Sequence, residues 1–239
     1  MKIISGIVDQ PKRVVLHGAA GVGKTTLACR LGKAIVIPTE DGSNHLDVDR
    51  LPLCRNYNQV LESIAYVGKA KKAGEITNDV VVLDSIDWAE NFIESQLEAE
   101  SFDQSYGKGV VEIGARIGRI FSYLDSLMQY GMKVVVIAHS EMKSIELPEG
   151  GSYSRWQPKL SKRSNSRLQE WSDAVGYCRI EVMVSKESNG FTERGVGQTT
   201  GRRVLHLNPT AGYVAKCRSS IDVPISVDMS NIEQVKKFL

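Results

Sequence analysis

Eight consecutive residues carry the most specific chemistry in this sequence. Gly18-Ala19-Ala20-Gly21-Val22-Gly23-Lys24-Thr25 fits the pattern G-x-x-x-x-G-K-[ST] at every constrained position. Val14-Val15-Leu16 before it is a short apolar run of the kind a buried parallel strand shows. Thr26-Leu27-Ala28-Cys29-Arg30-Leu31 after it reads as a helix with Leu27 and Leu31 on one face. Strand, glycine turn and helix start together aim several backbone N–H groups at one point, and the helix dipole adds positive potential there. Residues Gly18 to Thr26 are therefore expected to cradle phosphates, with Lys24 on the β- and γ-phosphates and the Thr25 hydroxyl on Mg²⁺. The bland alternative is a glycine-rich turn that happens to contain a lysine. The strand and helix on either side argue for a nucleoside triphosphate.

Other residues would act on that triphosphate. Val80-Val81-Val82-Leu83-Asp84 has the form of a Walker B strand, and Asp84 would hold a water on Mg²⁺. Asp87 nearby is expected to cap the following helix. Hydrolysis also needs a group that orients the attacking water. Glu40 follows the apolar run Ala34–Pro38, and the carboxyl ends of parallel strands open on one crevice, so Glu40 is the expected base. Asp41 competes for that role, though before Gly42 it could merely shape the turn. His139 stands after Val134-Val135-Val136-Ile137-Ala138, where a polar side chain can touch the γ-phosphate. A satisfied structural histidine is the alternative, and Ser140 could share the role.

The elements that must position these groups alternate through the first 140 residues. Strands are expected at 14–16, 34–38, 80–84 and 133–138, and helices at 58–72, from Asp84 to about Glu100, and at 110–129. This alternation predicts an α/β fold with a parallel sheet covered by helices. Residues 101–109 read as a loop. Glu141–Ser166, rich in Gly, Ser, Pro and basic residues, is too long for an ordinary connection and reads as a working loop. A helix at 166–174 and strands at 175–185, 202–208 and 212–218 follow, giving an antiparallel β extension in the C-terminal third. Ser230-Asn231-Ile232-Glu233 reads as a capping box before a short terminal helix. The expected organisation is one core domain over 1–224 with a tail over 225–239.

Composition narrows the class. The 239 residues suit one generous domain, and no run of about 18 apolar residues could span a bilayer. The first nine residues turn acidic too soon for a signal peptide. Cys29, Cys54, Cys178 and Cys217 are scattered, as are the four histidines, so free thiols in a reducing cytoplasm are expected and no metal beyond Mg²⁺. The net charge of +2 is uneven: Asp84 to Asp103 holds seven acidic and no basic residues, and Lys143 to Arg167 six basic ones. Such runs are usually solvated faces.

The order of phosphate loop, glutamate after the second strand, Asp-Ser after the Walker B run and polar residue after the fourth strand resembles the RecA/RadA recombinase core. It is most similar to the small phage-type RecA-like ATP-binding proteins of single-strand annealing and recombination. Pro38–Asp47 looks like the recombinase segment with the catalytic glutamate, and Leu160–Arg179 like the element after the second DNA-binding loop. Tyr213–Pro224 resembles the segment whose two cations enter the ATP site of the adjacent subunit. The resemblance covers about Arg13 to Pro224. It implies a RecA-like P-loop fold, ATP and Mg²⁺, and a homo-oligomer in a ring or filament, in a host cytoplasm if phage-encoded. Lys216 and Arg218, on one side of a strand by alternation, would be the cations acting in trans; a solvated edge strand is their other reading. Recombinases commonly carry Gln where this chain has His139, and this chain is too short for the extra terminal domains of bacterial RecA.

Single-stranded DNA is the partner this resemblance implies, with a single-strand-binding protein as a second. Tyr153, Arg155, Trp156, Lys159, Lys162 and Arg163 interleave cations with aromatic faces, the composition that single-strand binding requires. The loop at 101–110 could also carry nucleic acid. A small-molecule kinase, with the basic segment as a lid, is an alternative. So is an AAA+ type motor or loader, although a helical lid would then be expected in place of the β-rich C-terminal third.

Overall fold

The computed structural model of the chain describes Gly6, residues 12–188, 193–218, Pro224 and residues 226–239. The apolar N-terminal run and the 219–223 end of the recombinase-like segment lie outside the described residues, as do the side chains of 184–197. The fold begins with β1 (Arg13–Gly18), which runs into the phosphate loop and the short helix α1 (Lys24–Cys29). Then come β2 (Ala34–Pro38), β3 (Asp49–Arg50), α2 (Tyr57–Ala73), β4 (Val80–Asp84), α3 (Ile86–Ala99) and α4 (Lys108–Met128). β5 (Lys133–Glu146), β6 (Ser152–Pro158), α5 (Lys162–Trp171), β7 (Ala174–Ser188) and β8 (Glu193–His206) follow. The chain closes with β9 (Lys216–Cys217), β10 (Val227–Asp228) and α6 (Ile232–Phe238).

The strand order is β10-β8-β7-β1-β5-β4-β2-β3, with β6 on β5 and β9 on β7. Every contact among β1, β2, β3, β4 and β5 is parallel, and so is that of β1 with β7. β8 and β9 pair with β7 antiparallel, and β10 does so with β8. The result is a mostly parallel central sheet flanked by helices, with antiparallel strands at one side. The sequence dictates this locally. Val80–Leu83 and Val134–Ile137 are continuous β-branched and aliphatic runs, all buried, as strands covered on both faces require. Alternate residues serve two cores: Val15, Val81 and Val134 face α2, α3, α4 and α5, whereas Val14, Val80 and Val135 face α1 and α6.

Helix ends follow local chemistry. Asn56 caps α2 by accepting from the Gln59 N–H, and Gly74 ends that helix at a positive φ of 75°. At α6 the cap is Asn231, accepting from the Gln234 N–H, not the Ser230 of the expected capping box. Ser230 is engaged by Asp228, whose carboxylate accepts from its N–H and hydroxyl at 2.9 and 2.7 Å.

The largest difference from expectation is at 141–166. This segment is not a loop. β5 continues past His139 as a two-stranded antiparallel arm with β6, from Ser140↔Pro158 to Glu146↔Ser152, and only 147–151 form the tip. The Gly150-Gly151 pair takes two positive φ values there, turning the chain where the composition reads as loop. α5 then starts at Lys162, four residues before the expected helix.

Gly18 is where sequence and sheet constrain each other most tightly. A Cβ at that position would lie 2.2 Å from the Cys178 carbonyl oxygen on the neighbouring β7. Gly18→Ala should therefore force β1 and β7 apart, with a loss of about 1–3 kcal/mol. Urea unfolding without nucleotide measures this, and an unchanged midpoint would contradict the packing.

Candidate functional site

The parallel register gathers the ends of β1, β2 and β4 beside the middle of β5 at one edge. Gly18 of β1 lies opposite His139 of β5, Asp84 of β4 opposite Ile137, and Pro38 of β2 opposite Asp84. The crevice they enclose, about 670 Å³, is lined by Lys24, Thr25, Glu40, Asp84 and His139 among others. It sits at the carboxyl ends of the parallel strands, the usual ligand side of an open α/β sheet.

Lys24 lies against the loop, its Nζ donating to the carbonyls of Gly18 at 3.0 Å and Ala19 at 2.9 Å. Burial pulls its pKa below the usual lysine value, against the nearby Cys178, Asp84, Glu40 and Asp87. The Thr25 hydroxyl donates to Asp84 Oδ2 at 2.8 Å. Burial pushes the Asp84 carboxyl up to about 6, with Glu40 adding to the rise and Thr25 opposing it. A buried carboxylate disfavoured in this way gains most from a cation beside it. The donor set, a hydroxyl and a carboxylate at hydrogen-bond distance, is hard oxygen, as Mg²⁺ requires. These residues fit a Mg²⁺–triphosphate complex: Thr25 would ligate the ion and Asp84 would hold one of its waters. When bound, the ion would neutralise phosphate charge.

Glu40 owes its place to Thr39. The buried Thr39 hydroxyl donates to the Ser85 carbonyl at 2.8 Å and accepts from the Ser85 N–H at 2.7 Å. That clip ties the end of β2 to the end of β4 and delivers Glu40 into the cleft. Asp41 is exposed and accepts from Asn44, so it shapes the turn. His139 Nε2 lies 3.8 Å from Glu40 Oε1.

Asp87 does not cap α3. Its carboxylate accepts from the His139 backbone N–H at 3.0 Å and from Nδ1 at 2.8 Å. The hydrogen bond to Asp87 raises the His139 pKa, partly offset by burial, with Asp87 and Glu40 charges adding to the rise. Burial disfavours an ionised Asp87, yet the His139 ring and backbone hydrogen bonds hold its carboxyl below the usual range. Sequence reading missed this pair because Asp87 at the first turn of a helix has a local explanation.

Ser140 points elsewhere. Its hydroxyl is 2.8 Å from Nδ1 of the fully buried His17, whose Nε2 lies 2.8 Å from the Val214 carbonyl. Burial drops the His17 pKa to about 4, so the ring is neutral: Nε2–H donates to Val214 and Nδ1 accepts from Ser140. Ser140 is thus a strut within the sheet.

Lys216 and Arg218 stand at the opposite end of β1 from the phosphate loop, because β9 pairs with the start of β7 (Lys216↔Val175, Cys217↔Ala174). Lys216 donates to the Gln169 and Ser172 carbonyls at 2.5 and 2.6 Å. Arg218 donates to the Glu170 carbonyl and pairs with Asp173 at 3.2 Å. They cap the end of α5. Lys159, Lys162 and Arg163 are exposed at the base of the arm, with the Arg163 stem lying over Gly114 of α4. Tyr153, Arg155 and Trp156 are half-buried; the Trp156 ring stacks on Tyr177 at 6.5 Å and its backbone bonds Gly212 and Val214. Residues 105–107 form a 3₁₀ turn that leaves Tyr106 fully exposed.

One wall of the cleft has no counterpart in the sequence reading. Gly201, Arg202 and Arg203 from β8, with Asp228, Met229 and Ser230 from the tail, face the phosphate loop. They carry no local motif, and only the pairing of β10 with β8 brings them there.

A strand, a lysine-bearing glycine turn and a buried aspartate bonded to the turn's threonine define a P-loop ATPase. The chain belongs to the AAA domain family, whose profile matches residues 10–219. It is also 30% identical over 111 residues, 46% of its length, to Highly reducing polyketide synthase AFT9-1 of Alternaria alternata. The matched stretch is only 3% of that protein's length. Among the described residues, no helix is long and apolar enough to cross a membrane.

The Asp87–His139 pair gives a pH test with a definite sign. His139 is raised from 6.5, so its contribution to stability is full below that value and lost as pH rises through the folded pKa. Asp87 is lowered from 3.8, so its contribution is present above that value and lost as pH falls through the folded pKa. The pair's contribution is therefore full between 3.8 and 6.5 and declines on either side as pH approaches the folded values. Asp87→Asn should bring the His139 titration, followed by NMR, back toward 6.5 or below. An unchanged midpoint would show that Asp87 does not set it.

Proposed function

We propose that this P-loop ATPase is of the RecA-like type, oligomerises on single-stranded DNA and assists annealing or homologous recombination. One observation carries the reading: the strand that presents His139 to the nucleotide cleft is the strand that continues into the arm. β5 runs from the sheet through His139 to Glu146. Across the arm, Lys143 pairs with Arg155, and Tyr153 with Ile145, while Lys159 and Lys162 stand exposed below. A shift of His139 on loss of the γ-phosphate would be transmitted along a continuous strand to a basic, aromatic surface. The antiparallel β7–β8 extension supports the same reading, since an AAA+ type motor or loader would be expected to carry a helical lid in this part of the chain.

Lys216 and Arg218 fit a trans role in one respect. They lie away from their own phosphate loop, so any triphosphate they met would belong to another copy, and they would have to release α5 to do so. Within the cleft, Lys24 would hold the phosphates, Glu40 would take a proton from the attacking water, and His139 would respond to the γ-phosphate.

The family's description favours a second reading, an AAA-type motor or loader that does not act on single strands directly. Fluorescence anisotropy with a labelled oligonucleotide across a salt series separates the two. Single-strand affinity should fall steeply with salt, and replacing Lys159, Lys162 and Arg163 with Ala should flatten the slope by about 0.7 per lost phosphate contact. Tyr153→Ala should weaken binding with little change in slope, because stacking is not ionic. No single-strand affinity, or a slope unmoved by the triple substitution, would overturn the DNA reading and leave the ATPase.

A further inference from the structure

The nucleotide cleft has two sides, and the chemistry described so far uses only one. Glu40 follows β2, Asp84 ends β4 and His139 lies within β5, and these three strands all lie to one side of β1 in the sheet. Arg203 on β8 and Met229 just after β10 lie to the other side, yet line the same cleft. A triphosphate lying along the loop with its γ end toward Glu40 and His139 must direct its other end toward β8 and β10. We infer that Arg203 and Met229 form the wall that holds the nucleoside, base and ribose, of the bound nucleotide. The inference rests on the reading of the cleft as a triphosphate site.

The wall is built for a flat, weakly polar group. The Arg203 stem passes directly over the loop, its Cδ 3.5 Å from where a Cβ on Gly23 would sit, and Met229 Cε comes within 3.9 Å of the same point. Gly23 takes a positive φ of 94°, so no side chain intervenes. Arg203 is exposed, and its guanidinium has no hydrogen-bond or ion-pair partner among the described residues. A planar cation stacks on an aromatic ring, and a thioether packs against its edge. Met229 itself is buried in the second core.

The other charged side chains of this wall, Arg202 and Asp228, are already engaged, which leaves Arg203 as its adaptable group. Asp228 accepts from Ser230 through Oδ1 and from Arg202 Nε at 3.3 Å through Oδ2, and Arg202 also pairs with Glu181. Asp228 is a positioning residue: it folds the turn that presents Met229, while α6 anchors that turn through the buried Val235 and Leu239. The C-terminal tail thus belongs to the nucleotide site.

The test compares ATP with inorganic tripolyphosphate, which has the phosphates but no nucleoside. Both are titrated with Mg²⁺ as competitors of a fluorescent ATP analogue, on the full chain and on Arg203→Ala and Arg203→Lys. Arg203 is exposed, so neither substitution threatens the core. Arg203→Ala should weaken ATP by about 2- to 30-fold and leave tripolyphosphate within twofold of wild type. Arg203→Lys should stay weak for ATP, since it keeps the charge but loses the plane. Equal weakening of both ligands would make Arg203 a phosphate contact, and no weakening of either would remove it from the site; each result overturns the inference while the phosphate loop stands. A wild-type chain that binds neither ligand would instead overturn the triphosphate reading, and the wall with it.

Discussion

The site depends on one constraint, the parallel register of β1, β5, β4 and β2. Because Gly18 sits opposite His139, and Asp84 is level with both Ile137 and Pro38, the ends of β1, β4 and β2 meet His139 of β5 at one edge. In the proposed function each strand supplies a different group: β1 the glycine turn, β5 the His139 that would sense the γ-phosphate, β4 the Asp84 that would hold the metal's water and β2 the Glu40 that would act as base. A slip of one residue in any strand would turn its end away from the cleft and its apolar residues out of the core. The close approach of Gly18 to Cys178 locks the same register from the other side of β1.

Buried polar contacts convert that register into fixed side-chain positions. Thr39 joins β2 to β4, Asp87 joins α3 to β5, and His17 joins β1 to both Ser140 and Val214. Such groups, shielded from water, hold geometry because leaving any one unpaired is costly. The His17 strut has a further consequence. Val214 also bonds the backbone of Trp156 at the base of the arm, so β5, through Ser140 and His17, and β6 share one anchor. β5 itself runs unbroken from the cleft into the arm.

Local chemistry was legible in the sequence and contact between distant segments was not. The loop from Gly18 to Thr25, the strand ending at Asp84 and the strand at 34–38 each carry their own signal within a few residues. The arm was hidden because its tip, Leu147-Pro148-Glu149-Gly150-Gly151, dominates the composition, while its strands alternate only weakly. A helix start explains Asp87 as a cap without reference to His139, 52 residues away. Arg203 and Met229 offered no motif at all; a two-residue pairing of β10 with β8 creates their wall. Lys216 and Arg218 show the converse, a recognisable pair whose partners here are the carbonyls at the end of α5.

In the proposed function Glu40, delivered by the Thr39 clip, activates the water that attacks a triphosphate held by Lys24 and Thr25. Steady-state ATP turnover, measured beside equilibrium ATP affinity in Glu40→Gln and Asp41→Asn, tests it most directly. Glu40→Gln should bind ATP as wild type does but turn it over about 10²-fold more slowly or worse, while Asp41→Asn should keep its rate. Full turnover in Glu40→Gln, or the loss appearing in Asp41→Asn instead, would contradict it.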